Sequence, residues 1–274
     1  MKKLLIITTL LSFSGFGQES LNSIIKPRIT ENNTDLSKEN YKISIDNINL
    51  YEELIDDENL RSFHKIISDK KFLNPYKHMI FRSSEKVFYL KQWSVPIVIF
   101  FDKEIPEDIQ KKLIDYYKQV NSIKNLSIKA TKDISKANYF IKITNEEING
   151  YDSDYEFRSE EERINNPLTN GNYNLMTDNN MKLFCGTLTI NPKGKTNDQI
   201  VKQLKQLIFL SLGQFYISIL HKENSILSKN YNNSEILSDE NKKLLELHYS
   251  IIYPQKINLS TFNTLVSFIK NKYE

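Results

Sequence analysis

The sequence predicts an α+β fold in which a twisted mixed sheet packs with helices, and three observations lead to that prediction. A continuous apolar run at Val95–Phe101 is typical of a strand and is followed by a helical pattern and two more strand-like segments. A long helix begins at a capping box and ends at Gly213. Two C-terminal helices complete the expected domain.

The main domain is expected to span residues 87–274, and its first half shows the order β-α-β-β. The run Val95–Phe101 has the composition of a strand that is buried on both faces. Pro106 then stands where the first turn of a helix tolerates proline. The apolar face of that helix is formed by Ile109, Leu113, Tyr116, Tyr117 and Val120. Leu126–Ala130 and Tyr139–Ile143 are predicted as the next two strands.

The next segment, residues 150–180, is acidic and rich in Asn, which predicts a long loop or insertion. Phe184–Ile190 returns to the composition of a strand. The long helix follows, because Thr196 and Gln199 have the spacing of a capping box. Gly213 is expected to supply the left-handed residue at its end.

Helical spacing also predicts two C-terminal helices, one from Ser238 to Tyr249 and one from about Ser260. Residues 18–86 are expected to form an N-terminal arm with one short helix at 56–67. That helix would place Leu60, Phe63, Ile66 and Ile67 on one side.

Residues 1–17 have the three-part pattern of a secretory signal peptide. Two lysines precede an apolar run, and Gly15 and Gly17 stand at the −3 and −1 positions of a cleavage site before Gln18. The apolar run is shorter than the roughly 20 residues that a spanning helix needs. We therefore predict an exported protein, periplasmic or secreted, that is not an integral membrane protein.

Charge and cysteine content exclude some classes of function. The chain of 274 residues has 37 basic and 34 acidic side chains, a net charge of +3. Loss of Lys2 and Lys3 with the signal peptide would lower this to +1. So small a charge predicts no nucleic-acid partner. Cys185, the single cysteine, is expected to be an inert buried residue.

The order of elements is the layout of zincin metallopeptidases, and short motifs over roughly Val87–Ile269 agree with it. The segment Val201–Tyr249 resembles the active-site half of the matrixin-like metzincins. It is more closely similar to a bacterial family of unknown function without a complete zinc motif. The motifs are Lys91-Gln92-Trp93, Asn125-Leu126, Ala137-Asn138, Leu212-Gly213, Ser225-Ile226-Leu227-Ser228, Leu237-Ser238-Asp239-Glu240 and Tyr249.

A helical zinc site needs two His at positions i and i+4 with a Glu between them. The four His of this chain do not have that spacing. The resemblance places the first His on Gln206, the Glu on Leu207, the second His on Leu210, the third ligand on Tyr216 and the Met of the turn on Leu227. Because none of these side chains is a competent zinc ligand or base, we expect no metal and no cofactor.

The leading hypothesis is therefore a non-catalytic pseudoenzyme that binds a protein or peptide in a residual cleft. Its expected residues are Gln206, Leu207, Leu210, Gly213, Tyr216 and Leu227. One alternative is an active hydrolase with a relocated metal or acid-base site near His221 and Glu223, together with the acidic residues 152–162. Another is a structural component of an envelope assembly.

Two further segments resemble ligand-binding motifs but lack residues that those motifs require. The acidic segment that starts at Asp152 resembles a calcium loop, but Phe157 and Arg163 occupy the positions that need Gly and Glu. Gly194-Lys195-Thr196 resembles the end of a phosphate-binding loop, but Thr189 stands where its first Gly is required. The sequence favours a solvated acidic loop and a helix cap instead.

Overall fold

A computed structural model describes residues 57–82, 87–151, 156–217 and 222–273. The expected signal peptide and His221 lie outside these residues. The helices that it describes are α1 (Asp57–Ile67), α2 (Lys70–Phe81), α3 (Glu107–Tyr117), α4 (Glu160–Asn165), α5 (Asn197–Gly213), α6 (Asp239–Tyr249) and α7 (Leu259–Tyr273). The strands are β1 (Gln92–Trp93), β2 (Ile97–Phe101), β3 (Ile128–Ala130), β4 (Tyr139–Ile143), β5 (Gly171–Thr177) and β6 (Lys182–Ile190).

The six strands form one mixed sheet in which parallel pairs dominate. The order is β1-β6-β4-β2-β3, and β5 pairs with β6 as the antiparallel member. The predicted order β-α-β-β is confirmed by β2, α3, β3 and β4. Parallel neighbours need a connection that crosses over the sheet, and α3 makes that crossover between β2 and β3.

The predicted burial of the first strand on both faces is wrong. Ile97, Ile99 and Phe101 are buried, whereas Val98 and Phe100 between them stay half-exposed. The reason is that α5 packs against the face of the sheet that carries the buried set, with the Tyr139 hydroxyl reaching the helix. Side chains on the opposite face remain partly accessible within the described residues, so helix packing covers one face of the sheet more completely than the other.

The long helix α5 begins as the sequence predicts. Thr196 Oγ1 accepts a hydrogen bond from the Gln199 backbone N–H at 3.3 Å. Gln199 Oε1 accepts one from the Thr196 N–H at 2.8 Å, which completes the capping box. From Val201 to Gly213 the helix is buried except at Lys202. A helix that is buried on nearly all sides lies in the core of the fold.

The left-handed residue at the end of α5 is Gln214, with φ +56° and ψ +41°, so the expectation that Gly213 adopts this conformation is wrong. Gly213 is required for a different reason. A Cβ atom there would lie 2.5 Å from Cζ of Phe215 and 2.7 Å from Nε2 of His248. Only a residue without a side chain allows these two buried rings to approach the helix so closely.

Residues 150–180, expected to be a long loop or insertion, contain the short helix α4 and the strand β5. Strand β5 pairs along its length with β6, from Gly171 opposite Ile190 to Thr177 opposite Leu183. Its sequence, GNYNLMT, has few β-branched or aromatic residues, and only Gly171 is buried. The tertiary partner β6 therefore determines this strand more than its own propensity does.

The helix predicted at 56–67 is present as α1, and a second helix, α2, follows it. Pro75 lies inside α2 and removes a backbone donor, which is why the sequence gives little sign of a helix there. Both helices belong to the same core as the C-terminal helices. Phe262 of α7 packs against Phe63 of α1 and Tyr76 of α2, with ring centroids 6.5 and 5.7 Å apart.

The predicted helices Ser238–Tyr249 and from about Ser260 are confirmed as α6, which Ser238 caps, and α7. Among the described helices, none combines the length and the apolar character that a membrane span requires.

Replacing Gly213 with Ala is expected to lower the free energy of unfolding by about 1–3 kcal/mol, because the new methyl group overlaps two buried rings. Urea denaturation measures the change. Gln214→Ala is the matched control, since Gln214 is exposed and should change stability by less than about 0.5 kcal/mol. Equal stability of Gly213→Ala and the wild type would contradict the close packing.

Candidate functional site

Gln206, the position of the first His in the resemblance, is committed to a structural role. Its side-chain amide donates to the backbone carbonyls of Ile226 and Ser228, both at 3.0 Å. The same turn is held from the other side by Asn241, whose Oδ1 accepts from the Ile226 N–H at 2.9 Å and whose amide donates to Ser225 Oγ at 3.0 Å. The helix and the following turn are therefore joined by buried amides.

Leu227, at the centre of that turn, is fully buried. Leu207 is fully buried as well and lies beneath the start of β5. A Cβ atom on Gly171 would come within 2.9 Å of Leu207 Cδ1. One turn earlier in α5, the Gln203 amide donates to the carbonyls of Pro167 and Thr169 at 2.8 and 3.0 Å. The segment 167–171 therefore packs directly on this face of α5.

The acidic cluster is partly explained by α4. Ser159 caps this helix, and its first turn contains Glu160, Glu161 and Glu162. Carboxylates in a first turn interact favourably with the helix dipole. Glu160 forms a two-pronged bond with Arg163, and Glu162 forms a partly buried ion pair with Lys229. This second pair fastens α4 to the chain just after the turn at 225–228. Asp152 and Asp154 lie outside the described residues.

A cavity of about 330 Å³, here called the cleft cavity, lies between β5 and the end of α5. Of the six predicted cleft residues, Leu210 and Tyr216 line it. The Arg82 guanidinium stacks 3.9 Å from the centre of the Tyr216 ring and 4.6 Å from that of Phe88. Burial raises the pKa of Tyr173 in the cavity wall to about 12, and the nearby Arg82 charge acts in the opposite direction.

The residues at the expected zinc positions do not fit a zinc ion. The side-chain N–H groups of Gln206 donate to the carbonyls of Ile226 and Ser228 in the turn. Leu207 and Leu210 have no atom that can ligate a metal. Tyr216 is stacked under Arg82. Within the described ranges, no group of three or more His, Cys, Asp or Glu side chains is arranged to hold a metal. Since His221 falls outside those ranges, the site near His221 and exposed Glu223 stays a prediction.

His248 of α6 is fully buried beside Gly213 at the end of α5. Its Nε2 lies 2.7 Å from the carbonyl of Lys91, which can only accept, so Nε2 carries the proton. Nδ1 then accepts from the Tyr76 hydroxyl at 3.0 Å. Burial lowers the pKa of His248 to about 4, the bond to the Lys91 carbonyl opposes this, and the Lys182 charge adds to the lowering.

The sequence contains only a weak signal for the roles of Gln203 and Asn241, and it did not predict them. Gln203 and Gln206 are three residues apart on an otherwise apolar helix, so they share a face. A polar residue on a buried face needs a hydrogen-bond partner. The sequence does not say which part of the chain supplies that partner.

No protein-family model, no curated protein and no solved structure matches this chain.

His248 should make stability depend on pH. In the unfolded chain His248 takes up a proton near pH 6.5, whereas in the folded chain it does so only near pH 4. As the pH falls, His248 is therefore protonated first in the unfolded state. Neutral His248 therefore contributes stability that is fully present above pH 6.5 and is lost between pH 6.5 and 4. The free energy of unfolding falls by about 3 kcal/mol at most over this range. Urea titrations at pH 7, 6 and 5 on the wild type and His248→Gln measure it. A variant with the same pH slope as the wild type would refute this assignment.

Proposed function

We propose that this chain is an exported, zincin-like domain that has lost its metal site and binds an extended peptide along β5 without cleaving it. The order of elements supports the zincin-like part: the β-α-β-β half, the long helix α5 with Gly213 as its last residue, the turn at 225–228 and the C-terminal helices. The hydrogen bonds from Gln206 to that turn support the loss of metal chemistry.

The observation that carries the peptide-binding proposal is the outer edge of β5. In β6, the Gly186 N–H donates to the Asn138 carbonyl and the Ile190 carbonyl accepts from the Thr144 N–H, so these residues bond on the β4 side. Successive residues of a strand direct their backbone groups to opposite edges. The intervening residue Thr187 therefore bonds toward β5, where it pairs with Asn174.

It follows that the N–H and C=O groups of Tyr173 and Leu175 point away from β6. In the described ranges, β6 is the one strand that pairs with β5. Unpaired edge groups are a template for an added strand, and main-chain bonds of this kind provide affinity with little dependence on sequence. The structure thus offers backbone pairing at two positions of β5.

The two ends of this edge differ. Before β5, the segment 168–170 is already paired with the segment 148–150. The Gly150 N–H donates to the Leu168 carbonyl, and the Asn170 N–H donates to the Ile148 carbonyl. A bound peptide therefore begins to pair at Tyr173 and continues toward Thr177. The cleft cavity lies beside Tyr173 and has room for a side chain of such a peptide. Its lining includes aromatic and aliphatic side chains as well as Arg82 and Lys229.

Replacing Leu175 with Pro tests the edge. Proline removes the outward N–H of residue 175 but leaves the bonds from neighbouring residues of β5 to β6 in place. A displayed library of random peptides is selected on the wild type, and the enriched peptides are titrated against the variants by calorimetry. Leu175→Pro should weaken binding at least about tenfold. It removes one hydrogen bond to the peptide and leaves the peptide carbonyl that accepted this bond desolvated and without a donor.

Leu175→Ala is the matched control, because it removes the same side chain and keeps the N–H. It should bind the enriched peptides within about threefold of the wild type. Circular dichroism confirms that both variants are folded. Peptides that bind Leu175→Pro as tightly as Leu175→Ala, or a selection without enrichment, would refute binding along β5.

Metal content tests the loss of metal chemistry separately. The purified protein is exposed to zinc, calcium and manganese, dialysed and analysed by mass spectrometry, and far less than one ion per chain should remain, because Gln206, Leu207 and Leu210 do not form a ligand set. A value near one ion per chain that disappears in His221→Ala would contradict the proposal and establish the relocated site.

A further inference from the structure

A second cavity, here called the basic cavity, lies on the other side of the segment 166–170 from the cleft cavity. It measures about 310 Å³ and is bounded by the first half of α5, the segment 163–170 and residues 193–195. Four of the residues that line it are cationic, six have side-chain amides and none is Asp or Glu. A cavity with walls of this composition is strongly electropositive.

Among the described residues, three of the four cations have no carboxylate partner. The charge of Arg163 is neutralised by a bidentate ion pair with Glu160. Lys193, Lys195 and Lys202 make no ion pair in the part of the chain that the structure describes. Lys195 and Lys202 are half-buried, whereas Lys193 is exposed. Charges that are partly removed from water are normally paired, because desolvation is costly. Within the described residues, Lys195 and Lys202 therefore leave an uncompensated positive charge in the wall of this open cavity, and exposed Lys193 adds to it.

Lys195 is the best fixed of the three. Its Nζ donates to Gln203 Oε1 at 2.5 Å and lies 3.4 Å from the Thr169 carbonyl. Burial alone lowers the pKa of Lys195 to about 8, and burial lowers that of Lys202 as well. An anion in the cavity would offset the energetic cost of partly burying these charged lysines. The Thr169 hydroxyl, buried in the same wall, makes no hydrogen bond to any residue that the structure describes.

We propose that the basic cavity binds a small, hydroxylated phosphate ester, with a hexose phosphate as the simplest example. A phosphate monoester carries about −1.5 to −2 charges at neutral pH, which matches several unpaired lysines better than a single carboxylate does. The side-chain amides of Asn165, Asn166 and Asn170 in the lining can both donate and accept, as sugar hydroxyls require. The volume lies in the range of small-ligand sites and exceeds what phosphate alone would fill.

This site is independent of the proposed peptide edge, which lies along β5. The capping box is also separate, because Thr196 and Gln199 bond to each other's backbone whether or not an anion is present. The geometry differs from a phosphate-binding loop in that side chains, rather than a run of glycine amides, supply the donors.

Calorimetric titration of the purified protein with glucose 6-phosphate, glucose and inorganic phosphate tests the proposal. Glucose 6-phosphate should bind, and its affinity should fall with added salt. Lys195→Met and Lys202→Met should each weaken that binding by about tenfold or more, since each removes a charged donor. Lys202 is only half-buried, so its variant keeps the test valid if Lys195→Met is unstable.

Lys129→Met, on an exposed strand position distant from the cavity lining, is the matched control and should bind like the wild type. Glucose should not bind, and inorganic phosphate should bind more weakly than glucose 6-phosphate. The proposal is overturned if glucose 6-phosphate does not bind, or if the Lys195 and Lys202 variants match the control. Equal affinity for inorganic phosphate would also overturn it, in favour of a site for phosphate alone.

Discussion

The fold depends on satisfying the backbone of α5 inside an apolar core. The last carbonyls of a helix have no partner within it, and in a buried helix they have no water either. Here the Trp93 indole donates to the Ser211 carbonyl at 3.2 Å, and the Tyr249 hydroxyl donates to the Leu212 carbonyl. The Phe215 N–H donates back to the Leu210 carbonyl at 3.0 Å. The end of α5 is therefore built jointly by β1, α6 and its own extension.

Buried amide groups extend this arrangement across the molecule. Gln92, fully buried in β1, donates to the carbonyls of His248 and Ile251 at 2.5 and 2.7 Å. Its Oε1 accepts from the Tyr253 N–H and lies 3.3 Å from Lys182 Nζ. One side chain thus joins two strands to the end of α6. Such networks are stable only when every member is bonded, because an unpaired polar group in the core is costly.

The parts that the sequence predicted are those with a local cause. The capping box at Thr196 and the 3.6-residue period identify α5, and the β-branched run identifies β2. Strand β5 escaped prediction because its pairing with β6 overrides a weak propensity. The burial of β2 was overestimated, because composition does not show on which face the helices pack.

The same limit applies to the site. The sequence identified Gln206, Leu207 and Leu210 as neighbours on one helix face, which follows from spacing alone. It did not show that the segment 167–171 packs on that face, since this contact joins residues that are distant along the chain. The two cavities also lie between distant segments, and spacing within one element contains no information about them.

The hydrogen bonds of Gln206 have a consequence for how this protein changes in evolution. One side chain satisfies two carbonyls of the turn at 225–228, so a residue without a side-chain donor at position 206 would leave both without this partner. A tolerated change there requires a prior change in the turn or at Asn241, which holds the same turn. Residue 206 and this turn should therefore diverge together among descendants.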